Sequence, residues 1–302
     1  ETAQGHFVNF KNLLNFNSNR IPFGSASIGL GFRNEIAPRS GLLRVREFTM
    51  AEIEYFVDPE HKEHKKFHTL KDIKLPLWSS KNQLGNLPIE TEMTLGEAVE
   101  KKIIDNETLG YFLGKTYLFL IGIGIRKDGI RFRQHTPKEM AHYASDCWDA
   151  EIETSYGWVE CAGHADRTCY DLSHHSQASG TELVASRLLK ETKVVKGVKL
   201  LPNKASIFKD FKDNREKAKK LCEKLDKSTD EEKENYMKEY EANGKIEVDV
   251  DGEKFVLDKE KNEIKMERFE QNVHEEKYSP NVIEPSFGIG RIVYCVMEHC
   301  FK

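Results

Sequence analysis

The sequence has no Cys-x-x-Cys pair, no apolar run long enough for a membrane span, no internal repeat and no large excess of either charge. Six cysteines, Cys147, Cys161, Cys169, Cys222, Cys295 and Cys300, are too few for the disulfide framework of a small secreted protein. They read as free thiols in a reducing compartment. The His and Cys residues between His142 and His175 lack the close ligand pairs that structural zinc sites use, so no zinc is expected. The longest apolar stretch, Gly110–Ile125, falls short of the roughly 18 residues a membrane span needs, and Lys115 interrupts it. It predicts a buried helix, and no membrane partner is expected. A formal net charge of −4 argues against nucleic-acid binding by bulk positive charge and leaves only a local basic face for it. With neither an initiator Met nor a charged-then-apolar leader, the chain reads as a fragment or processed form not marked for secretion.

What is present is a globular composition. The 302 residues, 38% hydrophobic and 32% charged, suffice for one large domain or two ordinary ones. Phe7, Phe10, Leu13 and Leu14 predict a helix, followed by strands over 26–35 and 46–57 joined by a loop holding Pro38, Arg39, Ser40 and Gly41. The stretch 61–95 is polar and irregular and reads as a surface insertion. Two helices are expected over 94–125 and strands over 131–172, with Ser155–Gly163 the clearest. From 209 to 243 the chain is almost all balanced charge. Thr229 with Glu232 forms a capping-box pattern, and Gly244 is a natural helix stop. A hairpin over 245–250 and 253–257, turned by Asp251-Gly252, completes what reads as an inserted module. A final strand begins at Val282, and 289–300 predicts a helix with Ile289, Val293, Val296 and Cys300 on one face.

One motif is a decoy. Gly110-Tyr111-Phe112-Leu113-Gly114-Lys115-Thr116 is one residue short of a phosphate loop and sits inside an apolar run rather than after a strand. The strand 46–57 is more informative, because alternation places Phe48, Met50, Glu52, Glu54 and Phe56 on one face. Two carboxylates among two aromatics and a Met are costly unless a cation or hydrogen-bond donors meet them, which suits a pocket for an ammonium group; a solvated strand edge is the plain alternative. Glu160 shares a face with Tyr156 and Trp158, and Glu284 stands at the end of the last strand before Pro285-Ser286. Arg33 and Glu35 share a strand face, Arg44 ends the loop, and Arg291 opens the last helix after Gly288-Ile289-Gly290. Guanidinium groups suit phosphate oxygens and stack on flat bases.

These residues assemble into a recognisable set. Phe32-Arg33-Asn34-Glu35, then Arg44-x-x-x-Phe48-x-x-x-Glu52, resembles motif 2 of the class II aminoacyl-tRNA synthetases, and Gly288-Ile289-Gly290-Arg291 resembles their motif 3. Glu1-Thr2-Ala3-Gln4-Gly5, Arg33-Asn34-Glu35-Ile36-Ala37-Pro38-Arg39-Ser40-Gly41, Arg46-Glu47-Phe48-Thr49-Met50-Ala51-Glu52, Ala165-Asp166-Arg167 and Glu284-Pro285-Ser286-Phe287-Gly288 are similar to the glycyl-tRNA synthetases of the eukaryotic dimeric type. The resemblance runs over nearly the whole chain and is weakest over 61–95 and 194–277.

The resemblance implies an α+β fold: a class II antiparallel sheet of six strands flanked by helices, with ATP held bent on its face. The catalytic core would span 1–193 and 278–302, with a helical and hairpin module inserted at 194–277. By the same resemblance, the catalytic arginines would be Arg33 on the α-phosphate, Arg44 on the γ-phosphate and Arg291. Phe48 would stack on adenine with Arg291 on its other side, Glu35 would meet the adenine amino group, and Asn34 and Val45 would complete the ATP site. Glu160 and Cys161 would border ATP and its Mg2+, with Glu160 the metal ligand. Glu1, Glu52, Glu284, Pro285 and Ser286 would surround glycine. The activity implied is ATP-dependent joining of glycine to tRNA(Gly), in the cytoplasm or also in mitochondria, by a homodimer in the full-length protein.

Two features depart from the class. Gly290 stands where motif 3 usually carries an acid, as it does in the glycine-specific subtype. Motif 1 is absent and no anticodon-binding domain follows motif 3, so the chain reads as a catalytic core fragment. Two alternatives are a catalytically inactive synthetase-like binding module and a class II synthetase for another small amino acid.

Overall fold

The computed structural model describes residues 2–38, 41–210, 215–250 and 252–301. The chain divides into two compact units, Glu1–Arg187 with Lys277–Lys302, and Leu188–Glu276.

The first unit opens with α1 (Thr2–Val8) and α2 (Phe10–Phe16), two short helices where one was expected, separated at Asn9. β1 (Phe23–Phe32) and β2 (Glu47–Val57) follow, then β3 (Leu77–Trp78), α3 (Ser80–Leu84), α4 (Leu95–Glu100), α5 (Glu107–Gly122), β4 (Ile130–Gln134), β5 (Asp146–Thr154), β6 (Gly157–Asp166) and α6 (Tyr170–Ser179). After the second unit the chain returns as β11 (Asn281–Gly288) and α10 (Ile289–Cys300). The strands form one sheet in the order β1-β2-β11-β6-β5-β4-β3. Its first six are mutually antiparallel, as expected, and the two-residue β3 adds a parallel edge.

One sheet face is covered by the apolar side of α4 and α5. Trp148, Ala150, Ile152 and Phe132 from the strands meet Leu95, Leu109, Leu113 and Leu120 in the main core. The decoy stretch lies within α5, and its glycines allow close packing. A Cβ on Gly110 would stand 3.2 Å from the Phe67 ring, and one on Gly114 3.0 Å from Leu95. The stretch 61–95 is not a surface insertion, because Phe67, Leu70, Leu75 and Leu77 are buried in this core. Its polar residues point outward at a spacing too irregular for a helix or strand pattern to reveal. In α10 the buried residues are Ile292 and Cys295; of the predicted stripe Ile289, Val293, Val296 and Cys300, Ile289 and Val296 are half-buried and Val293 and Cys300 are exposed. At the other end of the sheet Phe7, Phe10, Phe23 and Phe56 form an aromatic cluster with Leu172 and Val282.

The second unit holds most of β7 (Ala185–Pro202) and β10 (Ile264–Tyr278), which pair as a long ribbon that local pattern did not announce. It also holds α7 (Lys204–Asp210), α8 (Arg215–Asp226), α9 (Asp230–Asn243), β8 (Lys245–Val250) and β9 (Glu253–Asp258). The capping box at Thr229 and Glu232 forms, and Gly244 closes α9 in the left-handed region at φ 66°. The hairpin pairs as expected, with Asp251 of its turn outside the described residues. Ile207, Leu221, Met237, Ile246, Val248 and Leu257 make a separate core.

Candidate active site

The site is built on the sheet face opposite α5. Strand alternation puts Glu52, Glu54 and Phe56 of β2 on that face. Cross-strand partners share a face, so Ser27, Ser25 and Phe23 of β1 stand beside them, and Ser286 of β11 faces Glu52 from the other side. Gly31 pairs with Phe48, and the missing side chain makes room for the Phe48 ring: a Cβ there would stand 2.6 Å from Phe48 Cε2 and 2.9 Å from Met50 Sδ. A cavity of about 250 Å³ opens next to this ring.

Three arginines converge on the cavity. Arg33 lies just past β1 rather than within a strand, and its N–H still donates to Arg46 O at 2.9 Å. Its guanidinium carbon sits 5.6 Å from the centre of the Phe48 ring. Arg44 Nε donates to Glu35 at 3.0 Å, across a turn in which the Glu35 N–H reaches Arg33 O. Arg291, at the start of α10, donates from Nη1 to Glu160 O at 2.7 Å and from Nε to Leu43 O at 3.1 Å. Planar donors around an aromatic ring suit a polyanion carrying a flat base.

Glu160 joins this wall through a β-bulge. The register runs Gly163↔Asp149 and Ala162↔Ala150, then slips so that Glu160 faces Glu151, which leaves Cys161 as the extra residue. The slip turns Glu160 onto the face of Asp149 and Gly163. Burial, reinforced by the Asp149 charge, pushes the Glu160 carboxyl up, while Arg291 and Arg33 pull it down. Beyond it runs an ionic ladder from β4 to β5: Arg131 to Glu151 at 2.6 Å, Arg133 to Asp149 at 3.2 Å, and His135 Nε2 to Asp149 at 2.9 Å.

An acidic hollow lies beside Ser286. Arg167 grips Asp171 through Nε and Nη2 at 2.8 and 2.9 Å and Glu284 through Nη1 at 2.8 Å, and packs on Tyr143 and Phe7. Burial works against its charge, and these bonds more than offset it. Glu54 is fully buried, and the register brackets it opposite Glu284. Among the described residues neither Glu54 carboxyl oxygen has a hydrogen-bond partner, and Glu52 Oε2 lacks one too. Burial, with Glu284 next, pushes Glu52 up; burial, then Glu284 and Glu52, pushes Glu54 to about 10. Two carboxyls are therefore bonded to the Arg167 guanidinium, and two more stand near it without a bond to it. Such a hollow favours a small cation.

Two groups of residues could hold a metal. Glu160 stands among phosphate-type donors, where one carboxylate with substrate oxygens is the usual way to hold Mg2+. His135, Cys147 and Asp149 also cluster, their ligand atoms within 4.8 Å. Asp149, however, is already shared by His135 and the Arg133 guanidinium, which opposes a second cation there.

The cavity wall thus brings together Arg33, Glu35, Arg44, Val45, Phe48, Glu160, Cys161, Ser286 and Arg291. Asn34 does not line it. Glu52, Glu284 and Pro285 lie beyond it: β2 and β11 place Glu52 opposite Ser286, and Glu284 is held by Arg167. Glu1, Arg39 and Ser40 lie outside the described residues. Sequence reasoning placed Glu54 with Glu52 on the face suited to an ammonium group, and assigned no role to Arg167, Asp171 or the ladder. Alternating cations in Arg131-x-Arg133-x-His135 and acids in Asp149-x-Glu151 were the available signal for two facing strands.

No family profile matches the chain. It is 50% identical over its whole length to a glycine–tRNA ligase of Caenorhabditis elegans and to glycine–tRNA ligase 2 of Saccharomyces cerevisiae, and spans 40% and 48% of their lengths. A solved prolyl-tRNA synthetase of Giardia lamblia in complex with prolyl-adenylate aligns with 92% of the chain and 28% of its own. That alignment has 10% identity and a TM-score of 0.36, too loose to bear on the site.

Proposed function

We propose that this chain, which belongs over its whole length to the glycine–tRNA ligase family, builds the site where glycine and ATP are joined as glycyl-adenylate. The observation that carries the reading is the meeting of three arginines and Phe48 in one cavity, with Ser286 between it and the acidic hollow. Arg33 and Arg44 are placed for phosphate oxygens, and Phe48 and Arg291 for the two faces of adenine. Glu35 and Val45 border the nucleotide, and Glu160 and Cys161 line its far wall. Glu52, Glu284 and Ser286 receive the ammonium group of glycine, and Pro285 fixes the spacing of the last two.

A glycine carboxylate oxygen attacks the α-phosphorus of ATP in line, the bond to the bridging oxygen breaks, and pyrophosphate leaves. No side-chain nucleophile is required. Positioning and charge neutralisation supply the rate, and Arg33 meets the charge that grows on the α-phosphoryl oxygens. Mg2+, held by Glu160 and the phosphates, would add further neutralisation when bound. A terminal ribose hydroxyl of tRNA(Gly) then takes the glycyl group and releases AMP. The unit Leu188–Glu276 stands apart from these residues in sequence and serves the tRNA rather than the chemistry. A homodimer working in the cytoplasm, with a mitochondrial form, completes the reading. Among the described residues no helix is long and apolar enough to cross a membrane.

ATP–pyrophosphate exchange measured with glycine, alanine, serine and proline tests the proposal. Exchange that depends on glycine supports it. Tight ATP binding without exchange would mark a binding module, and exchange driven by another amino acid would reassign the substrate.

A further inference from the structure

Behind the nucleotide cavity two cysteines from distant parts of the chain meet. Cys161 is the extra residue of the β6 bulge and belongs to the cavity wall; Cys295 lies on the buried side of α10. Their sulfurs are 3.6 Å apart, and both side chains are buried in the main core. While reduced they act as small apolar residues. A disulfide needs its sulfurs at about 2.05 Å, so closing one asks for an approach of about 1.5 Å, shared between a strand bulge and a helix. Both supports bear on Arg291. Cys295 lies one helical turn after it, and Cys161 directly follows Glu160, whose carbonyl accepts from Arg291 Nη1.

We propose that Cys161 and Cys295 form a reversible disulfide that draws α10 onto β6, shifts Arg291 and weakens nucleotide binding in the adjoining cavity. The oxidant is a small hydroperoxide reaching the pair at Cys161 through the cavity. Both S–H bonds and the O–O bond break, one S–S bond forms, and hydrogen peroxide is reduced to two waters. A dithiol reverses the step by exchange. The proposal rests on the reading of the cavity as an ATP site only for its effect on ATP, not for the bond itself. By linkage, whatever the disulfide takes from ATP affinity, bound ATP takes from disulfide formation.

The test treats the folded full chain with hydrogen peroxide, maps disulfide-linked peptides by mass spectrometry, and measures ATP binding before oxidation, after it and after dithiothreitol. The expected result is a 161–295 linked peptide, slower to form with ATP present. ATP binding should weaken about tenfold, the worth of one displaced hydrogen bond to a charged group, and recover on reduction. Cys295→Ala, with Cys295→Ser in reserve should alanine fail to fold, should bind ATP normally and keep that affinity in peroxide. Absence of the linked peptide, its formation without change in ATP binding, or loss of binding in the oxidised Cys295→Ala protein would each overturn the proposal. Reduced protein that binds no ATP would instead overturn the reading of the cavity, and the peptide map would still judge the bond.

Discussion

Replacing Glu54 by glutamine should stabilise the protein at neutral pH. Glu54 is fully buried, neither oxygen has a partner among the described residues, and its carboxyl is pushed from 4.5 to about 10. Burial is the largest cause; Glu284, Glu52 and Asp171 add to it, and Arg167 opposes. The folded state therefore keeps a proton that the unfolded chain releases above its ordinary carboxylate value. The stabilisation is fully present below pH 4.5 and is lost as pH rises toward 10, at about 1.4 kcal/mol per pH unit. By pH 7 about 3 kcal/mol has gone. Glutamine matches the shape and polarity of the protonated acid and does not titrate. Parent and Glu54→Gln should have similar stability near pH 4.5 and diverge above it, the variant gaining about 3 kcal/mol by pH 7. All three tryptophans, Trp78, Trp148 and Trp158, lie in the first unit, so urea unfolding followed by tryptophan fluorescence reads that unit alone. Stability curves that stay parallel across this pH range would refute the reasoning and show Glu54 ionised and compensated.

Arg167→Met leaves Asp171 and Glu284 buried without their cation and should cost about 3–5 kcal/mol in the same unfolding assay; a loss under 1 kcal/mol would mean that water reaches those acids. Arg33→Ala should lower glycine-dependent pyrophosphate exchange on the order of a hundredfold, about 3 kcal/mol of transition-state stabilisation, with the fold intact. Near-normal exchange would remove Arg33 from the chemistry. Gly31→Ala forces the Phe48 ring and Met50 from their places, at a strain of about 1–3 kcal/mol. It should weaken ATP binding about tenfold or more, and unchanged affinity would show that Phe48 does not meet the base.

Local pattern was enough for much of the frame. The alternation of β2, the span of α10, the capping box at Thr229 and the hairpin after Gly244 depend on residues a few positions apart, and each formed where the sequence placed it. The site residues named from the motif resemblance supply half of the cavity wall. Other features depend on pairings that no local window contains. Alternation put Glu54 beside Glu52, but only packing from β1, β11 and the first helices deprived it of water and partners. Period alone also left open which stripe of α10 faced inward, and contact with the sheet chose Ile292 and Cys295. The polar stretch 61–95 became core because Phe67, Leu75 and Leu77 found distant apolar partners. The bulge at Cys161 needs a neighbouring strand to slip against, and with it came the aim of Glu160 and the meeting with Cys295. Sequence sets spacing along one element; burial, register and charge pairing arise between elements, and only the tertiary structure decides them.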